Sequence, residues 1–405
     1  MPYDSDVALL GTGVAPLIAA SYLIQQGKSV LLLNPDWDFF LEDSELPLDP
    51  LLQGIPTPEQ LRQSSPEWAL QVLRPYFPGA MEFWASPSSH SGHSEPSGYH
   101  DEAAPHVRQR GRLWISKMDK NRLWNWEHLE DFYVEASDAD LKPQILDGLS
   151  AARKFPGFSS HFGNFRGLFI PKLCDVDVVR FRNGLLEFIR ERLGPNQVVC
   201  AASQMEWMPE GLRFHTQGSL HNAKLRHGML VFWTPRLSSW ILAQAKKAEI
   251  SPRLPNGVRL WEQWILHSRE PSDPSVVGMV GDMAVWADME GRPSLPHSQN
   301  THRLSVLKSG PLIPLENFNL PQGGLSWAST DSFNSLSNLC HDFLRWERFT
   351  ISALKTRALF EWNPVAPWIT SRGTPPVWVI PACDGPLVNV VQVARSACDS
   401  ILETK

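Results

Sequence analysis

Residues 6 to 36 read DVALLGTGVAPLIAASYLIQQGKSVLLLNPD, and this stretch restricts the fold more than any other part of the chain. Val7 to Leu10 is a short apolar run that stops at Gly11-Thr12-Gly13. A segment rich in alanine and leucine runs from Val14 to Gln26, and a second apolar run from Ser29 to Leu33 follows it. The order is strand, glycine turn, helix, strand: the βαβ unit that holds a dinucleotide.

Each part of the unit has a physical role. Gly11 permits the turn, and Gly13 lets a pyrophosphate approach the backbone. The free N–H groups where the helix opens, at Val14, face the negative charge. Gly27 ends the helix. A ribose ligand is expected about 20 residues past the turn, at the tip of the second strand. That tip is Asn34, with Asp36 close behind, where a carboxylate is usual. Pro16 stands in the place of the third glycine of GxGxxG. Proline costs little in a first helical turn, but its ring is expected to hold the helix further from the sheet. The candidate cofactor-binding residues of this unit are therefore Gly11, Thr12, Gly13, Val14, Asn34 and Asp36.

A chain of 405 residues is long enough for two domains. Its formal charge of -6 argues against a nucleic-acid partner. No apolar run approaches the roughly 18 residues of a membrane span, and no basic region precedes the first apolar run, so a cytoplasmic protein is expected. Cys174, Cys200, Cys340, Cys383 and Cys398 are odd in number and scattered, which suits reduced thiols better than a disulfide frame or a zinc site. Seventeen tryptophans suit a large core or a flat apolar ligand.

Beyond Asn34 the chain reads as a loop, then as short helices from Pro66 to about Leu73 and around Ala80 to Trp84. Residues 86–106 are rich in Ser, Gly, Pro and His and read as a flexible loop, with His90, His93, His100 and His106 as solvated residues and not metal ligands. Strands are expected at Gly111 to Met118 and Leu168 to Pro171. Helices are expected at Leu123 to Tyr133, at Ala139 to Ala152, and from a cap at Asp175 or Asp177 to Leu193. Val198 to Trp233 reads as a strand, a hairpin turning at Glu210-Gly211, and an apolar strand closed by Thr234-Pro235. Val258 to His267, Val276 to Ala287 and Arg303 to Leu307 suit an antiparallel sheet. Ser335 to Ala358 reads as a long helix. Val377 to Ile380 reads as a last strand, and a last helix runs from about Val388 to Leu402.

Together with the N-terminal unit, the hairpin and the Thr234-Pro235 strand, this resembles the superfamily of flavin-containing amine oxidases, phytoene desaturases and protoporphyrinogen oxidases. The resemblance implies an α/β fold in which a Rossmann-like FAD/NAD(P)-binding domain is interleaved with an α+β substrate domain. Residues 1–60, 172–245 and 355–405 would form the first domain, and 61–171 and 246–354 the second. Near its end the family has Ala-Gly-Asp or Ala-Gly-Glu before a helix, with the acid accepting hydrogen bonds from the ribityl chain. Here Ala382-Cys383-Asp384-Gly385 stands in that place, so Asp384 and Gly385 join the candidate cofactor residues. A capping aspartate would look the same. The family's Gly-Gly-Arg after the second strand has no counterpart between Asp36 and Pro66.

The resemblance implies an FAD-dependent oxidoreductase passing a hydride from an apolar or amine small molecule to the flavin. Amine-oxidising relatives place a lysine near the flavin, but neither Arg259 nor Lys308 is assigned that role, and the catalytic residues stay open. NAD in the N-terminal unit is a lesser alternative. The same fold is used without flavin by Rab GDP-dissociation inhibitors, so a cofactor-free binding protein is the rival expectation.

Overall fold

The computed structural model describes residues 3–34, 107–109, 112–117, 126–154, 165–172, 174–176, 178–193, 197–233, 237–247, 255–268, 278–280, 283–287, 302–314, 330–338, 340–341, 348–361, 368–369, 376–380 and 387–403. In chain order the first elements are β1 (Tyr3–Leu10), α1 (Val14–Gln25), β2 (Val30–Leu33), β3 (Val107–Gln109), β4 (Arg112–Lys117), α2 (Trp126–Asp138), β5 (Gln144–Asp147), α3 (Gly148–Lys154) and β6 (Phe165–Ile170). Then come β7 (Cys174–Val176), α4 (Val178–Arg192), β8 (Val198–Val199), β9 (Ser203–Met208), β10 (Gly211–Thr216), β11 (Ser219–Phe232) and α5 (Ser238–Lys247). The remainder is β12 (Gly257–Ser268), β13 (Gly278–Val280), β14 (Met283–Ala287), β15 (His302–Ile313), α6 (Thr330–Asn338), β16 (Thr350–Glu361), β17 (Trp368–Ile369), β18 (Val377–Ile380) and α7 (Leu387–Glu403).

The first sheet runs β17-β18-β11-β1-β2-β8, with the β9–β10 hairpin joined to β11. β18, β11, β1, β2 and β8 are mutually parallel, so their carboxyl ends share one edge. Their apolar runs are nearly continuous, as befits strands covered on both faces. Val7 and Leu9 of β1 face a cluster with α1, α4 and α7, while Ala8 and Leu10 face one with the hairpin and α5. Alternation along a single strand thus builds both cores.

Pro16 does not lift α1 from the sheet. Leu17, Ile18, Ala19 and Ala20 are 0% exposed, because a proline in the first turn breaks no internal hydrogen bond. At the other end Lys28 N–H donates to the Leu23 carbonyl (3.0 Å) and Gly27 N–H to that of Ile24 (3.0 Å), closing the helix at the expected place.

The second sheet runs β16-β12-β15-β14-β13-β4-β6-β5. It is antiparallel except where β13 meets β4. β3 and β7 form a separate antiparallel pair. Two expectations are corrected here. The helix expected over Ser335 to Ala358 is instead the short α6 followed by β16, and β16 pairs with β12 over nearly its whole length. The helix expected over Ala139 to Ala152 is broken by a turn and by β5, which pairs with β6, before α3 begins. Asp140 and Lys142 have φ of 55° and 53°, which no helix accommodates. Asp175 lies in β7; Asp177 is outside the described residues. The loop expected at 86–106 and its four histidines, the short helices between Pro66 and Trp84, Thr234-Pro235 and Cys383 also lie outside them.

Candidate functional site

The edge where the parallel strands end carries the N-terminal glycine turn. Gly11 N–H donates to the Leu33 carbonyl (3.2 Å), which ties the turn to the tip of β2. A Cβ on Gly11 would stand 2.9 Å from Phe232 Cβ, so the turn lies directly against the end of β11. Thr12 is 6% exposed. Gly13 is the N-cap of α1 with φ 78° and ψ -156°, a region open almost only to glycine. No side chain caps the helix, and its first turn has no acidic residue. The leading N–H groups, starting at Val14, are thus offered to an external anion.

Asn34 follows β2 and is 0% exposed. Its N–H donates to the Val199 carbonyl (2.9 Å), and its own carbonyl accepts from Ala202 N–H (2.9 Å). The structure therefore brings Gly11, Thr12, Gly13, Val14 and Asn34 to one edge. Asp36, Asp384 and Gly385 lie outside the described residues. β18 and α7, the elements on either side of 384–385, belong to this layer all the same. Trp233 N–H donates to the Ile380 carbonyl (3.0 Å), and α7 packs on α1, where Tyr22 Oη donates to an Asp399 carboxylate oxygen (2.7 Å).

The strand order has the form that places a dinucleotide. β1 leads through α1 to β2 on one side, while β11 lies on its other side, so the connections diverge at the carboxyl end of β1. A diphosphate suits the turn on two counts, an uncapped helix N-terminus and a glycine-only backbone at Gly13.

Comparison with solved structures agrees with this architecture. NikD, described as an unusual amino acid oxidase essential for nikkomycin biosynthesis, is similar over 100% of this chain and 95% of its own, with a TM-score of 0.66 and 14% identity. The chain has the fold of this oxidase. Glycine oxidase from Geobacillus kaustophilus is similar over 100% of this chain and 96% of its own, with a TM-score of 0.65 and 11% identity. L-alpha-glycerophosphate oxidase from Mycoplasma pneumoniae, solved with FAD bound, covers 99% of this chain and 95% of its own at a TM-score of 0.62 and 11% identity. No family model matches the sequence, and no curated protein matches it either.

In the second sheet, Arg259 Nη1 donates to the Gly310 carbonyl (3.3 Å) and Lys308 Nζ to Ser335 Oγ (3.3 Å). Trp264 is buried, in keeping with a core role. Cys200, Cys340 and Cys398 are free thiols. Burial pushes the Cys340 thiol up to about 12 and raises that of Cys398 as well, so neither is a thiolate nucleophile at neutral pH. Among the described residues no three His, Cys, Asp or Glu side chains are placed to hold a metal ion, and no helix is long and apolar enough to cross a membrane.

Two positions escaped the sequence reading. Phe232 backs the glycine turn, but only a parallel pairing across more than two hundred residues brings it there. Glu262 is a buried carboxylate in β12, marked in sequence only as an acid inside the apolar run VRLWEQWIL.

Proposed function

We propose that this protein is an FAD-dependent oxidoreductase that takes a hydride from a small molecule bearing an amine or an apolar reacting centre. The observation that carries the reading is the Gly11–Gly13 turn at the topological switch point, with its uncapped helix N-terminus facing the shared strand edge. The oxidase fold supports it. When bound, FAD supplies the electron-accepting ring.

The remaining work belongs to the chain. Gly11, Thr12, Gly13 and Val14 hold the diphosphate through backbone N–H groups and the α1 dipole. Asn34 and Asp36 meet the ribose, the Asn34 amide taking over the part usual for a carboxylate. By the resemblance, Asp384 would accept hydrogen bonds from the ribityl chain, and the helix start that follows it, with Gly385, would face the pyrophosphate or the flavin ring. We divide the molecule as the sequence reading does, with a cofactor domain from 1–60, 172–245 and 355–405, save that β16 pairs with β12 through Glu361, so we take the C-terminal segment to resume after β16 and not at 355. The second sheet then belongs to the substrate domain and shields the reacting atoms from water.

Purified protein that is yellow and releases FAD on denaturation is the expected result. Wild-type protein that binds no FAD even when it is supplied in excess would remove this reading and leave a cofactor-free binding protein on the same fold.

A further inference from the structure

The glycine turn brings little positive charge of its own to a diphosphate. Residues 11–17 and 30–34, which form the turn, the start of α1, β2 and Asn34, contain no lysine or arginine. Pro16, the third residue of α1, has no N–H, so this helix start presents fewer donors than most. A diphosphate seated there keeps negative charge that the backbone alone does not match.

α4 brings a guanidinium to the same edge. It packs on α1, and Leu185, Leu186, Ile189 and Leu193 share one core cluster with α1 and the strands. α4 leads into β8, which is parallel to β2. β8 starts at the amino edge of the sheet, so the helix that lies along the sheet and feeds it begins at the carboxyl edge. α1 and α4 therefore both open at the edge that carries Gly13. Glu187, Arg190, Glu191 and Arg192 of α4 are exposed, but Arg182 is only 3% exposed. Its spacing continues the stripe of Leu185, Leu186, Ile189 and Leu193 that meets α1. It stands about one turn into α4, and a long helical side chain covers the turn N-terminal to its own Cα, which sends the guanidinium toward the edge. A guanidinium stays charged at any ordinary pH, and its forked donors fit phosphate. α4 serves the β2–β8 side, where Asn34 N–H donates to the Val199 carbonyl (2.9 Å). With the ribose at Asn34, the phosphate on that side is the one next to adenosine.

We propose that Arg182 is a cofactor-binding residue whose guanidinium matches the adenosine-side phosphate of the dinucleotide. The assignment rests on the oxidoreductase reading above and adds the cation that the glycine turn lacks. Arg182 binds and orients, and no bond changes at it.

The test uses the full-length chain stripped of flavin, with FAD, ADP and adenosine as probes and calorimetry as the measurement. Arg182→Gln is expected to weaken FAD and ADP by about tenfold or more and to leave adenosine within about twofold of wild type. Arg182→Lys should fall between, because it keeps the charge and loses the fork. A purely structural arginine would weaken all three probes alike. The proposal is overturned by ADP affinity within about twofold of wild type in Arg182→Gln, or by a loss for adenosine as large as that for ADP. Should circular dichroism show Arg182→Gln unfolded, Arg182→Lys decides. A loss of about threefold or more for ADP with adenosine unchanged supports the assignment, and any smaller or equal loss overturns it. Wild type that binds ADP and no FAD defeats the flavin reading while Arg182 is still read on ADP, and wild type that binds neither defeats both.

Discussion

Asp6 and Ser29 latch the two strands of the N-terminal unit together. Ser29 donates to Asp6 Oδ2 from its N–H (2.8 Å) and its hydroxyl (3.0 Å), and Asp6 N–H donates to Ser29 Oγ (2.8 Å). Partial burial raises the Asp6 pKa, but the hydrogen bonds from Ser29 and the charge of Arg226 outweigh it and leave the carboxyl below its ordinary 3.8. Arg226 adds little, since it is 83% exposed. A folded value below the unfolded one means that the latch stabilises fully above the unfolded value of about 3.9 and is lost as pH falls through the folded value. Asp6→Asn is therefore expected to cost about 1–2 kcal/mol at neutral pH. That deficit should shrink below about pH 4, as urea unfolding across a pH series will show. Gly13 allows a second residue-scale test. Gly13→Ala carries a backbone penalty of about 1–3 kcal/mol, whereas Gly13→Asp carries the same penalty and also sets a charge where the diphosphate belongs. Flavin content should fall further in Gly13→Asp than in Gly13→Ala at equal circular dichroism. Equal retention in the two would separate the turn from the anion.

Among the elements, α7 carries much of the first layer. Val390, Val391, Ala394, Ala397, Cys398 and Ile401 are all at most 1% exposed, and Cys398 Sγ lies 3.8 Å from the Ala19 carbonyl oxygen of α1. Ile401→Ala should lower stability by about 2–5 kcal/mol, and chemical denaturation will report it. This helix was legible in sequence as a run from about Val388 to Leu402, and its buried positions recur at i, i+3, i+4 because one apolar face meets α1 and the edge of the sheet. β16 was not legible in that way. Its run TISALKTRALFE places apolar residues at spacings that also fit a helix, and pairing with β12 decides for the strand. Hydrogen exchange should find the 350–361 amides bonded to β12 protected and the others exchanging faster, since among the described strands β16 has a neighbour on one side only. Uniform i to i+4 protection would contradict the strand.

Across the whole molecule, local signals and long-range ones divide cleanly. The strand, turn, helix and strand of residues 6–34, the hairpin turning at Glu210-Gly211 and the last strand with its helix were set by the sequence itself. There the period of apolar residues, the turn glycines and the helix stops agree within a few dozen residues. Gly11, Thr12, Gly13, Val14 and Asn34 were legible for the same reason, because one βαβ unit contains them all. Tertiary structure alone decided what sits beside that unit. β11 and β18 reach it across more than two hundred residues, Phe232 presses on Gly11, and Trp233 is tied to Ile380. It also decided that β12, with Glu262 buried within it, lies between β15 and β16. No local pattern encodes such pairings, because their free energy comes from burying surfaces that meet only after the chain has closed long loops.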